Sequence, residues 1–229
     1  MLKSPTAAAL LCVAAFALAA CATPSTSGAA PVYADADTIS AAGDSVSFDY
    51  EPVTSTKELA AMADVVTTGT VVGVQDGPKY GRFDDEMNDI SSVVIEVRVD
   101  KTVQGEVAGS SVYLSMLSPD ATTLDDWNRA YPTGVGVVAY ATRSPEGAQG
   151  ATGEIDTEKW QAGRPEGAAL HVPLVQGFAV QVDEKHLLWP LTGVTREATL
   201  RDALPDGPAV GTQLPGEEPT NPAEREGSR

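Results

Sequence analysis

Two histidines stand in the 229-residue chain, so any chemistry that needs an imidazole must use His171 or His186. Neither has a second histidine at metal-ligand spacing, and no H-x-x-x-H or H-E-x-x-H occurs. Serines are plentiful, but the G-x-S-x-G and S-x-x-K contexts of an activated nucleophile are absent. A triad of a serine, His171 and a distant aspartate stays open, because such partners need not be neighbours in sequence. The plainer reading of each histidine is an edge or surface residue. The run Asp84-Asp85-Glu86-Met87-Asn88-Asp89 puts five oxygen-bearing side chains into six residues. Calcium takes six to eight oxygens, which makes Asp84, Asp85, Glu86, Asn88 and Asp89 weak metal candidates. The D-x-[DN]-x-[DN]-G spacing is missing, so a solvated hairpin tip is the alternative. Apart from calcium, no cofactor is expected. Trp127 and Tyr131 lie at i, i+4 and read as the packed face of a short helix. Trp160 lies in a polar stretch with no core to join, which makes it a weak candidate for partner binding.

The elements that would position these residues are mostly strands. Ser55-Thr56-Lys57-Glu58 fits a capping box, and Leu59, Met62 and Ala63 follow as one apolar stripe, which predicts a helix near 56–64. The period then changes to two. Strands are predicted at 65–75, 92–103, 111–117, 135–142 and 177–183, with "HLLWPL" after the turn Asp183-Glu184-Lys185. Within 92–103, Val93, Ile95, Val97 and Val99 share one face, and Glu96, Arg98, Asp100 and Thr102 share the other. The run "VGVVAYAT" at 135–142 is apolar throughout and predicts a central strand. A short helix is expected near 196–204, carrying Leu200 and Leu204. Residues 77–90 read as a long hairpin loop and 143–168 as a second excursion. Together these predict a mainly β fold, a small antiparallel barrel of five to six strands with one or two short flanking helices.

The flanks have a different composition. Residues 7–20 are almost wholly apolar and too short for a span of about 20 residues. With Lys3 ahead of them they have the layout of an export signal. The segment closes on Leu18-Ala19-Ala20-Cys21, which resembles the lipobox of bacterial lipoproteins. The resemblance implies cleavage between Ala20 and Cys21, diacylglycerylation of the Cys21 sulfur, and anchorage on the outer side of the cell membrane. Two acyl chains suffice for stable anchoring where one is marginal. An ordinary signal peptide with an incidental cysteine is the alternative. The Ala-, Gly- and Asp-rich, Lys-poor composition is similar to that of high-GC bacteria such as actinobacteria. Residues 21–53 are small, polar and acidic and read as a disordered tether. The folded domain is expected over 54–205, and 206–229 as a disordered tail rich in Pro and Glu.

The chain holds two cysteines; Cys12 would leave with the signal, and Cys21 would carry lipid. No thiol then remains for a disulfide, a thiolate metal site or a nucleophile. The net charge is −17, and loss of Lys3 only deepens it. Such a charge argues against nucleic acid, whose phosphates need basic side chains, and against electrostatic docking on anionic lipid.

"ELAAMADVVTTGTVVGV", "VVIEVRVDKTVQGE" and "VGVVAYAT" resemble the scaffold of netrin-type and metalloprotease-inhibitor (TIMP-like) OB-fold domains. The matching positions are Ala63, Asp64, Val65, Val66, Gly69 and Val71, then Val97, Val99, Val103 and Gly105, with Gln104 where that family usually has lysine. The resemblance implies an OB-like barrel. It departs where inhibition of a zinc protease needs a disulfide-pinned N-terminal cysteine next to the domain, because Cys21 lies far upstream. The expected function is a lipid-anchored binding or interaction module of the cell envelope, without catalytic activity, whose partner is an envelope protein or ligand. The alternatives are an envelope hydrolase using His171 or His186, and a protease inhibitor acting through a loop.

Overall fold

A computed structural model describes residues 30–43, 48–79, 91–119, 121–144 and 160–212. The chain divides into two units, Met1–Ala30 and Pro31–Arg229, and the fold below belongs to the second. Among the described residues it is mainly β, with one seven-stranded sheet and three short helices. The strands are β1 (Val65–Asp76), β2 (Ser92–Gln104), β3 (Ser111–Leu117), β4 (Gly136–Arg143), β5 (Leu170–Gln181), β6 (His186–Trp189) and β7 (Val194–Glu197). The helices are α1 (Ala36–Gly43), α2 (Thr56–Met62) and α3 (Leu124–Ala130).

The sheet runs β3-β2-β1-β4-β5-β6-β7 with antiparallel neighbours. One parallel contact is added, where Tyr113 and Leu114 of β3 pair with Leu170 and His171 of β5. The strand count thus exceeds the five to six expected. The strand read from "HLLWPL" is β6, and the surplus is β7, which overlaps the start of the helix expected near 196–204. The Ala198 N–H donates to Lys185 C=O (2.8 Å), which holds Val194–Glu197 extended beside β6. Residues 199–205 turn instead of winding on, and the Asp202 carboxylate accepts the Thr199 N–H and hydroxyl (2.8 and 2.7 Å).

β1 and β2 are long, and their ladder carries register shifts at Val66/Thr67, Thr68/Gly69 and Val71/Gly73. Such bulges bend and twist a strand pair. Gly69 allows the close approach, since a Cβ there would lie 2.2 Å from the Arg98 carbonyl oxygen. Val93, Ile95 and Val97 are buried in the main core, with Val99 packed against it, as the alternation predicts. Val94 points the other way and is buried as well, with Trp160 and Leu170.

β4, and β5 over residues 177–180, are apolar on both faces. Val137, Ala139, Phe178 and Val180 enter the main core, whereas Val138, Tyr140 and Ala179 meet a second one with Leu187, Trp189 and Leu59. The uninterrupted apolar run in β4 is explained by this double burial. α2 belongs to the second core. Ser55 accepts the Glu58 N–H (3.2 Å), but the Glu58 carboxylate reaches back to Thr54 rather than to Ser55 (3.1 Å). Leu59, Ala60 and Ala63 are buried, and Met62, expected on the same stripe, is exposed.

Both ends of the domain extend past the expected limits. Residues 31–43 and 48–53 fall in the expected tether, yet α1 places Ile39 and Ala42 in the main core. Asp35 caps α1 by accepting the Thr38 N–H and hydroxyl (3.2 and 2.8 Å). The segment ahead of it is tied down by Ala34 N–H to Gln181 C=O (2.9 Å) and Asp35 N–H to Ala130 C=O (3.1 Å). At the other end, Ala209 and Val210 are buried, so packing continues past residue 205 among the described residues. Gln176, itself buried, joins the two ends. Its amide oxygen accepts the Val53 N–H (2.8 Å), and its amide nitrogen donates to Val53 C=O (3.1 Å) and to the Thr212 hydroxyl. That hydroxyl donates in turn to Val53 C=O (2.8 Å).

Candidate functional site

His171 sits on β5, opposite Arg143 of β4 and Leu114 of β3, and is buried. Burial pushes its pKa below the ordinary histidine value, the Arg143 charge adds to this, and Asp64 and the Ala169 backbone oppose it. Its Nδ1 has no hydrogen-bond partner. Asp64 is occupied elsewhere, accepting the Arg143 N–H (2.8 Å). His186 opens β6 and bonds the Asp183 carboxylate through Nδ1 (2.8 Å). The same carboxylate accepts the N–H groups of Lys185 and His186 (2.7 and 2.8 Å). Burial would raise the Asp183 pKa, but these hydrogen bonds outweigh it and hold the group below the usual carboxylate range. The pair thus fixes the β5–β6 turn. Among the described residues neither imidazole is hydrogen-bonded to a serine hydroxyl, so no Ser–His–acid arrangement is assembled there. Nor do three metal-ligating side chains cluster among them.

Trp160 is not the exposed aromatic its polar neighbours suggest. It is 4% exposed and packs with Val94, Leu170 and the half-buried Tyr113. The Arg164 guanidinium lies 5.3 Å from its ring centroid and donates to the carbonyls of Trp160 and Ala168. A partner could not reach this side chain without opening the core. Trp127 and Tyr131 follow the sequence reading. Thr123 and Asp126 form a capping box for α3, and the two rings stack at 5.8 Å with Trp127 Nε1 donating to Ser118 (2.8 Å). Ala20, Cys21, Asp84, Asp85, Glu86, Asn88 and Asp89, most of the 77–90 loop, and residues 145–159 of the 143–168 excursion lie outside the described residues.

The structure assembles a different site, which no motif marks. The parallel contact between β3 and β5 ends at Leu114 and His171. Beyond it the strands part, and Pro173 has no N–H to offer a further rung. A cavity of about 270 Å³ occupies the gap, walled by Met116 and Leu117 from β3, Val172 and Pro173 from β5, and Phe48 and Leu191 from the flanking segments. Ser115 and Ser144 complete the wall. Leu117 and Val172 are 38% and 41% exposed, so the mouth is apolar as well.

Phe48, Met116, Leu117 and Leu191 also line a second pocket of about 30 Å³, together with Ile39, Ala42, Trp127, Tyr131 and Pro190. Tyr131 is 1% exposed and its hydroxyl has no hydrogen-bond partner. Burial alone pushes its pKa far above the ordinary tyrosine value, so the group stays a neutral phenol. A buried hydroxyl of this kind usually finds a partner. The strand expected at 111–117 includes Met116 and Leu117, but only the parting of β3 from β5 turns the wall into a cavity. Comparison of the chain with protein-family models, curated proteins and solved structures finds no match.

Proposed function

We propose that this chain is a lipid-anchored, non-enzymatic binding module of the cell envelope. The observation that carries the reading is the Leu18-Ala19-Ala20-Cys21 motif at the end of a short apolar run behind Lys3. Acylation of the Cys21 sulfur fastens the module to the outer face of the cell membrane through two hydrocarbon chains. The strongly negative charge leaves protein or small-molecule partners rather than nucleic acid.

The body of the module is read as an OB-like barrel. Support comes from the circuit of pairings β1-β2-β3-β5-β4-β1, in which the short parallel β3–β5 contact links the two ends of an otherwise antiparallel set. The β6–β7 hairpin and α1 are additions to that plan. A closed sheet with an apolar opening offers a place for a ligand rather than for a reaction.

Growth with a labelled fatty acid tests the anchor. The expected result is label in the wild-type protein and in the membrane fraction, with both lost in Cys21→Ser. Absence of label from the wild type, or unchanged membrane retention of Cys21→Ser, overturns the reading.

A further inference from the structure

We propose that the short parallel contact between β3 and β5 is an acid-released latch, in which protonation of His171 frees β3 from β5 while the rest of the sheet stays paired. The inference does not depend on acylation of Cys21. The latch consists of two residue pairs, Tyr113 with Leu170 and Leu114 with His171. Past them the strands part into the cavity at Ser115 and Val172, and Pro173 has no N–H to extend the ladder. Each strand is held more firmly on its other side. β3 pairs with β2 from Leu117 opposite Ser92 to Ser111 opposite Arg98. β5 pairs with β4 from Val180 opposite Val137 to His171 opposite Arg143, and Leu170 C=O accepts the Ser144 N–H (2.8 Å). The latch is therefore the shortest ladder among β1–β5, and opening it costs the least structure.

The imidazole in the latch suits the neutral state alone. It is 7% exposed, and its Nδ1 is buried without a hydrogen-bond partner. A neutral ring can leave one nitrogen as an unused acceptor, whereas the cation carries N–H on both and needs two acceptors. An added proton would thus leave a buried, charged donor unsatisfied. The charged groups acting on the ring are Arg143 of β4 and Asp64 ahead of β1. Arg143 opposes a second positive charge. Asp64 favours one, but it is exposed and already accepts the Arg143 N–H (2.8 Å). The Ala169 backbone also favours the cation. β3 offers apolar Leu114, and the nearest acid of β2, Glu96, lies opposite Tyr113 and accepts the Ser111 hydroxyl (2.8 Å). The balance holds the latched pKa below the ordinary histidine value. Parting Leu114 from His171 admits water and restores a value near 6.5. The proton therefore favours the open state: the latch is firmest above about pH 6.5, and below it the opening equilibrium rises by up to about tenfold per pH unit until the latched pKa is reached.

Residue-resolved hydrogen exchange of the full chain by NMR, corrected for the intrinsic exchange rate, tests the latch. Between pH 7.5 and 5.5 the amides of 113–115 and 170–172 that bond across it should lose protection about fivefold to tenfold. Those of the β1–β4 ladder should keep theirs. In His171→Asn the latch amides should show equal protection at both pH values. Should that variant fail to fold, the imidazole signals of the wild-type chain give a second measurement. His171, told apart from His186 by His186→Gln, should titrate below about 6.5. Unchanged protection at the latch, an equal loss throughout the β1–β4 ladder, pH dependence retained in a folded His171→Asn, or a His171 ring titrating at or above the ordinary value overturns the proposal.

Discussion

Replacing Trp160 with alanine is the sharpest test of how the second excursion is built. The indole is 4% exposed and fills the space between Val94 and Leu170, both essentially inaccessible. Arg164 covers its outer side at 5.3 Å and is held there by the carbonyls of Trp160 and Ala168. The guanidinium therefore stays in place when the indole is removed, and the patch cannot collapse fully. Truncations of buried tryptophan to alanine cost about 3–5 kcal/mol, and the poor prospects for collapse put Trp160→Ala toward the upper half of that range. For a chain of this length each kcal/mol lowers Tm by roughly 2–4 °C, which gives a fall of about 8–20 °C. Urea unfolding followed by far-UV circular dichroism measures the loss without relying on the deleted fluorophore. Trp160→Phe should recover part of it. Gly163→Ala should destabilise the same patch independently, because Gly163 has φ +76° and a Cβ would lie 2.7 Å from the Val94 Cβ. A loss below about 1 kcal/mol for Trp160→Ala with an unchanged m-value would refute the burial argument and return Trp160 to the surface.

His171 gives stability a pH dependence. Its folded pKa is depressed by burial and by Arg143, so the unfolded chain takes up the proton first. The contribution is complete above about pH 6.5 and is lost as pH falls toward the folded value, at up to about 1.4 kcal/mol per pH unit. His171→Asn should flatten unfolding curves collected between pH 7 and 5; an unaltered slope would show that another group titrates. Gly211→Ala tests the extended C-terminal boundary, since a Cβ there would lie 2.3 Å from Trp189 Cδ1. A fall in Tm of several degrees is expected, and none at all would mean that the chain past 205 does not pack.

The sequence foretold elements whose signals are local. Ser55 and Glu58 announced α2, the alternation of Val93, Ile95 and Val97 announced β2, and the continuous apolar run of β4 reflects two cores. It was silent where order comes from distant partners. α1 has a single large apolar anchor, Ile39, and its entry is fixed by Gln181 and Ala130, neither of which is near in sequence. The tail past 205 is ordered by Trp189, Arg196 and Gln176 in the same way. Trp160 was misplaced because its neighbours in sequence are polar, whereas its neighbours in space are Val94 and Leu170. The cavity was invisible for a related reason. Met116, Leu117 and Val172 look like any strand residues until the limit of the β3–β5 contact is known.

The Gln176 clasp bears on how the domain comes into being. Ribosomes release a chain from its amino end, so Val53 emerges 159 residues ahead of Thr212. Neither Val53 nor Gln176 has its full set of hydrogen bonds until Thr212 has been made. Closing so long a span delays native contacts, and during that delay Trp189 lacks the cover of Gly211. The nascent domain is therefore most exposed to misassociation just before residues 206–212 arrive, and truncation within that stretch would leave it permanently at that stage.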